Sequence, residues 1–306
     1  METSIARSIL FVVLSAGVAF AQHEAKVQET IKQAYPNAQS QITGSQDVNG
    51  VKVYNLAITS QHGQSTAQVT EFGDILISAD PAGTQNLPPP VSRLLSGLFK
   101  NPPQRIQRFQ VTRYLIDVRV NDKPLRLVVS PVGQLVEIRD AQKIAEEDKL
   151  SFKEANDEQR RGVQPVAERH YANSKLQKVY QYPDAPNFFV AEVKTPGNRE
   201  ARITMHGASE VVSTRLEIDP GELPRPAVES VNQLFNTDNV RRAYQVRGTY
   251  YRIVTPGNKG GEVVMHASPS GEILHTENSQ IQAAERAVTA GQRQAPAANQ
   301  PAPQAK

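Results

Sequence analysis

Apolar residues run along this chain in two alternating rhythms. Val27, Ile31, Ala34 and Tyr35 fall at i, i+4, i+7 and i+8, the spacing of one helix face. Asn49-Gly50 then breaks the rhythm, and VKVYNLAIT, STAQVTEF and ILIS follow as short apolar or alternating runs. They are separated by turn signals at His62-Gly63 and Gly73-Asp74, a pattern that predicts antiparallel strands joined by hairpins. The next stretch repeats the order. Pro90 opens a helix carrying Val91, Leu94, Leu95 and Leu98, suited to a first turn because its missing N–H would be unpaired there anyway. RFQVTRYLIDVRV, LRLVVS and QLVEI follow, with turns at Asn121-Asp122 and Pro131-Val132-Gly133. FFVAEVKT, ARITMH and VVSTRLEI, then TYYRIVT, GEVVMH and EILHT, give a third and a fourth round.

Identities at a fixed offset support a duplication. Val27-Gln28, Tyr35 and Asn37 recur 136 residues later as Val163-Gln164, Tyr171 and Asn173. The same offset carries Leu87, Pro88 and Pro90 onto Leu223, Pro224 and Pro226, and Leu98-Phe99 onto Leu234-Phe235. The expected organisation is α+β: four tandem repeats of one helical segment packed on a three- to four-stranded antiparallel sheet, arranged as two duplicated halves. The repeats span 22–82, 83–140, 163–220 and 221–278, and Phe99 and Phe235 are expected core anchors. Residues 141–162 are rich in Glu, Lys and Ala, which predicts a solvated helical spacer between the halves.

The ends of the chain read differently. Residues 1–21 hold Arg7, an apolar run from Ile9 to Phe20, and Ala19-Phe20-Ala21 as a small-x-small cleavage site, the pattern of an export signal. That run is too short for a spanning helix of roughly 20 residues, and no later stretch is apolar enough. The expectation is an exported protein, periplasmic or extracellular in a bacterial envelope, monomeric, with no transmembrane segment after cleavage. Residues 279–306 lack aromatics and end in Ala, Pro and Gln, so they are expected to be disordered.

A helix followed by Tyr-x-Leu-x-Ile, a Gly turn and a strand pair closing on Gly-x-Ile-Leu resembles the PepSY-like superfamily. Tyr54, Leu56, Ile58, Gly63, Val69, Gly73, Ile75 and Leu76 carry the pattern in the first repeat. Tyr251, Ile253, Val263, Met265, Gly271, Ile273 and Leu274 echo it in the fourth, whereas Gly207-Ala208-Ser209-Glu210 departs from it in the third. The tandem pairing is also similar to the proteinaceous beta-lactamase inhibitors, and a cystatin-like fold is the structural alternative. The resemblance implies a non-enzymatic periplasmic or secreted module that binds or inhibits other proteins.

Composition narrows the chemistry. The chain of 306 residues has no Cys, which excludes disulfides, thiolate metal sites and cysteine nucleophiles. Its 34 Lys+Arg against 31 Asp+Glu leave +3, too balanced for a dedicated nucleic-acid binder. The histidines (23, 62, 170, 206, 266, 275) show no HExxH or i, i+4 pairing, and no P-loop or GxSxG motif occurs, so no metal, cofactor or catalytic residue is expected. His206 and His266, 60 residues apart, are expected to be surface positions of two repeats. Strand alternation gives a surface hypothesis instead. Tyr114, Ile116 and Val118 should face helices, which turns Arg113, Asp117, Arg119 and Arg126 to the opposite face, with Arg202, His206, Tyr250, Arg252 and His266 in the second half. Arg and Tyr anchor protein interfaces, so Arg113, Arg119, Arg126, Arg202, His206, Tyr250, Arg252 and His266 are the partner-binding candidates, for an acidic protein partner. A scaffolding envelope protein, and more distantly a hydrolase, stay open as other classes.

Overall fold

The computed structural model describes residues 23–61, 63–148, 153–182, 185–207, 210–235, 240–257 and 261–278. The export signal, the C-terminal tail, His62 and most of the Asn258-Lys259-Gly260-Gly261 turn lie outside the described residues. Among the described residues the chain is α+β, with five α-helices and one antiparallel sheet of 15 strands.

Helix α1 (residues 23–34) precedes β1 (Gln39–Val48), β2 (Val51–Ser60), β3 (Gly63–Thr70) and β4 (Ile75–Pro81). Helix α2 (Pro89–Leu98) leads into the long β5 (Arg105–Val120), then β6 (Lys123–Val129) and β7 (Leu135–Arg139). The charged stretch forms α3 (Ala141–Asp148) and the two-residue β8 (Lys153–Glu154), so it is not one continuous spacer helix. Helix α4 (Asp157–His170) starts inside that stretch, where Asn156 and Gln159 form a capping box, and precedes β9 (Lys175–Tyr182), β10 (Ala185–Lys194), β11 (Glu200–His206) and β12 (Glu210–Ile218). Helix α5 (Arg225–Phe235) leads into β13 (Val240–Pro256), β14 (Glu262–Ala267) and β15 (Ile273–Asn278). Helices α1 and α4 are both followed by an asparagine in the left-handed region, Asn37 (φ 68) and Asn173 (φ 59), a conformation that asparagine tolerates better than most residues. The apolar pattern misses β1 and β9, because each gives the core little: Ile42 packs from β1, Leu176 and Val179 from β9.

The sheet turns on the pairing of β5 with β13, which runs from Val118↔Val240 to Arg105↔Val254 with one register shift between Val240 and Arg242. Each long strand changes its outer neighbour midway. Residues 107–111 of β5 pair with β4 and residues 114–120 with β6. Residues 243–248 of β13 pair with β12 and residues 251–256 with β14. Both switches meet at the pair Val111↔Gly248.

This arrangement corrects the expectation that every helix packs on the strands that follow it. Helices α1 and α4 do so, over β2–β4 and β9–β12. Helix α2, however, puts Val91 and Leu95 against Tyr251, Ile253, Met265 and Ala267 of β13 and β14, besides Ile106 of β5. Helix α5 puts Ala227 and Val231 against Tyr114, Ile116, Val118, Leu127 and Val129 of β5 and β6, besides Ala243 of β13. The two inner helices are exchanged. Phe99 and Phe235 sit half-buried at the edges of these clusters rather than at their centres.

Glycine turns fix the exchange. Gly133, in the β6–β7 turn (φ +77), lies under the first turn of α5, where Ser230 Oγ donates to its carbonyl oxygen, and an added Cβ would sit 2.6 Å from the Pro226 carbonyl oxygen. Gly271, in the β14–β15 turn, meets Pro90 of α2 in the same way, at 3.0 Å. Gly50 shares the left-handed conformation (φ +75) but faces open space. Gly50→Ala is therefore expected to cost about 1–2 kcal/mol from backbone strain, and Gly133→Ala about 1–3 kcal/mol more from the clash with α5. Denaturant unfolding of both variants checks this; equal losses would mean that α5 does not rest on that turn.

Candidate functional site

The registers assign every strand residue to one of two faces. Tyr114 and Ile116 on β5 share a face with Leu127 and Val129 on β6, and this face carries α1, α2, α4 and α5. Alternation places all eight partner-binding candidates on the other face: Arg113, Arg119, Arg126, Arg202, His206, Tyr250, Arg252 and His266. They do not form one site, and their environments differ.

Arg126 is 1% exposed and is not available to a partner. Its Nε and Nη2 donate to the two Asp117 oxygens at 2.6 and 2.9 Å, and its Nη1 and Nη2 donate to Asp148 at 3.0 Å each. Burial works against the guanidinium's charge, but the hydrogen bonds and charges of Asp117 and Asp148 outweigh it and raise its pKa. Arg215 on β12 donates to Asp148 at 2.8 Å and lies 3.9 Å from the ring centre of Tyr244, with Arg126 at 5.6 Å. The acidic α3 is thus folded back over β6 and β7, and it is not a free spacer. For Asp148, burial alone would raise the carboxyl; the hydrogen bonds from Arg126 and Arg215 prevail and hold it down at about 2.

His206, 8% exposed, is a buried residue rather than a surface one; its ring lies 4.8 Å from that of Phe188, and burial together with the charge of Arg93 lowers its pKa. Arg202 is paired to Glu192 at 3.2 Å. Arg119 is exposed near the end of β5.

The remaining candidates gather around a ladder of rings. Tyr250 stacks on Phe109 (centroids 5.0 Å, planes 7° apart) and on His266 (5.6 Å, 18°), and His266 meets the edge of His275 at 5.8 Å. Offset and edge contacts of this kind add about 0.5–1.5 kcal/mol per pair beyond area burial. Arg113 and Arg252 flank Tyr250: burial raises its phenol pKa and both guanidiniums pull it back. Arg113 donates to the Thr112 carbonyl oxygen at 2.9 Å, and burial lowers its own pKa. Among the described residues no carboxylate pairs with Arg113 or Arg252. Gly248, two residues before Tyr250 on the same face, would carry a Cβ into open space.

Phe109, Arg215, Tyr244, Asp148 and His275 escape the sequence reading. Alternation alone puts Tyr244 in phase with Tyr250 and Phe109 in phase with Arg113, so two of the five were within reach of it. Nothing local to Asp148 says that its helix folds back. On the helix face, the Tyr114 hydroxyl donates to Asp74 at 2.5 Å and accepts from Gln245 at 3.3 Å; burial raises both pKa values. Among the described residues no cluster of three or more histidines and carboxylates is placed to hold a metal ion, and no helix is long and apolar enough to cross a membrane.

No family model and no curated protein matches the chain. Among solved structures, a BLIP-like protein from Bacteroides fragilis is similar over 44% of this chain and 91% of its own, at 16% identity and a TM-score of 0.23.

Asp148 has a depressed folded-state pKa, so its contribution is complete above the ordinary carboxylate value near 3.9 and is lost as pH falls toward about 2. Hydrogen exchange is expected to show α3 protected at pH 4 and open at pH 2. Asp148→Asn is expected to cost about 1–2 kcal/mol, modest because the carboxylate is partly solvated and Arg126 keeps Asp117. Unchanged protection at pH 2 would mean that Asp148 does not hold α3.

Proposed function

We propose that the protein is an exported, non-enzymatic protein-binding module that engages its partner through the sheet face opposite α1, α2, α4 and α5. The observation that carries this reading is the Phe109–Tyr250–His266–His275 ladder, stacked on that face beside the open space at Gly248. Tyr and Arg supply interface anchors because a large rigid ring or fork is desolvated at little entropic cost. Ladder rings already held against each other lose little freedom on binding.

The same reading takes the chain as four units in two duplicated halves, built by exchange of the two inner helices. It rests on the identities at offset 136 and on the matched contacts of Gly133 with α5 and Gly271 with α2. Export rests on the apolar run that ends in Ala19-Phe20-Ala21. N-terminal sequencing of the periplasmic or secreted protein is expected to begin at Gln22; a full-length membrane-bound product would overturn export.

Gly248→Trp tests the face directly. The position has ordinary strand geometry and free space, so the indole is expected to be accommodated and to cover the ladder's flank. With the mature protein as bait for proteins of its own compartment, a specific partner held by the wild type is expected to be lost with Gly248→Trp. Circular dichroism should show the variant folded. A partner held equally by both would move the site elsewhere. Arg252→Glu is the second probe; reversal at Arg202 would instead break the pair with Glu192.

A further inference from the structure

Two tyrosines on β13, Tyr244 and Tyr250, stand on the same face, each with arginines beside it. At Tyr244, Arg126 and Arg215 lie against the ring with the Asp148 carboxylate of α3 between them, and Arg242 shares a side-chain hydrogen bond with the tyrosine. At Tyr250 the arginines are Arg113 and Arg252, and no described carboxylate reaches either.

We infer that Tyr250, Arg113 and Arg252 form a carboxylate-recognition site for an acidic helical segment of a partner protein, which presents an aspartate or glutamate there as α3 presents Asp148 at Tyr244. This deepens the sheet-face reading and rests on it. Three observations carry it. Charge complementarity is the first: Arg126, Arg202 and Arg215 on this face all have carboxylate partners, whereas Arg113 is desolvated with none among the described residues, a cost that an incoming carboxylate offsets. Size is the second. The ladder spans β5, β13, β14 and β15, three strand spacings or about 14 Å, room for a helix about 10–12 Å across and far more than a small anion needs. The third is the chain's own precedent, since the occupied patch also spans four neighbouring strands, β6, β5, β13 and β12, and its occupant is an acidic helix.

The probe is α3 itself as a blocked peptide, DAQKIAEED (residues 140–148), titrated into the mature full-length protein and followed by NMR. Saturable shifts are expected at Tyr250, Arg252 and His266. Affinity is expected to fall at least tenfold in the Arg113→Ala/Arg252→Ala protein or with the Asp148→Asn peptide, and several-fold from low to high salt. Arg202→Ala should leave it unchanged. Shifts confined to Tyr244, Arg126 and Arg215 would overturn the inference, because the peptide would then read only the patch its own helix occupies. Equal shifts with acetate at matched concentration would reduce the site to a small-anion contact and overturn the helical occupant. Should Gly248→Trp abolish partner capture while the peptide leaves the ladder unmoved, the sheet-face reading stands and the carboxylate site falls. Should Gly248→Trp change nothing, the sheet-face reading itself fails.

Discussion

The antiparallel pairing of β5 with β13 is the constraint on which the rest of the molecule depends. Both strands are longer than any single neighbour, so each must find two outer partners, and the change falls at Val111↔Gly248 on both. The β1–β4 side joins the ribbon through β5 and the β9–β12 side through β13, so the pairing of β5 with β13 is what makes the two sides one sheet. Were the ribbon opened, each long strand would present a row of unpaired amides and carbonyls, a cost no local rearrangement removes. Exchange of α2 and α5 follows from this. Each of these helices must cover apolar positions on the strands beside it in space, and the ribbon sets β13 and β14 beside α2 and β5 and β6 beside α5.

The ribbon also arranges the charges of the opposite face. It places Asp117 and Tyr244 side by side beneath Arg126 and Arg215, and a guanidinium as buried as Arg126 is tolerable only when anions and hydrogen bonds surround it. Asp117 supplies one carboxylate; the second has to come from outside the sheet. That requirement draws α3 back over β6 and β7, with Glu137 binding Arg139 on the same strand and Lys143 on α3. Helix α3 is therefore a strap set by electrostatics, with Asp148 bridging Arg126 on β6 to Arg215 on β12 across the ribbon.

Much of this was legible in the sequence, and for identifiable reasons. The helices around Val27 and Ile31 and around Val91 and Leu95 announce themselves by period, because burial on one helix face leaves a sequence trace. Alternation along β5 and β13 sorts Arg113, Tyr250 and Arg252 correctly from Tyr114 and Tyr251, because a strand has only two faces. What failed is what period cannot encode. Val91 and Val231 read as apolar whichever sheet they meet, so the exchange of helices was invisible. Arg126 and Arg113 read alike, two arginines on one face, yet one is closed by Asp148 and the other is not. His206 looked like a surface residue until Phe188 covered it from the neighbouring strand.

Period two also explains why the closed and open patches lie next to each other. Tyr244, Val246, Gly248, Tyr250 and Arg252 share one face of one strand, so an acidic helix over Tyr244 and a ring ladder at Tyr250 have only Val246 and Gly248 between them. Gly248, without a side chain, leaves that boundary low. The switch of outer partners falls at the same residue, so β12 and β6 border the Tyr244 patch while β14 and β4 border the Tyr250 patch. Asp117 on β5 and the arginines of β6 and β12 make the first patch self-sufficient once α3 seats Asp148. On the second side Val254, Val264, Ile77 and Ala79 supply apolar neighbours, and no described carboxylate pairs with Arg113 or Arg252. One strand thus carries two versions of a tyrosine–arginine arrangement, one closed by the Asp148 carboxylate of α3 and one whose arginines no described carboxylate pairs with.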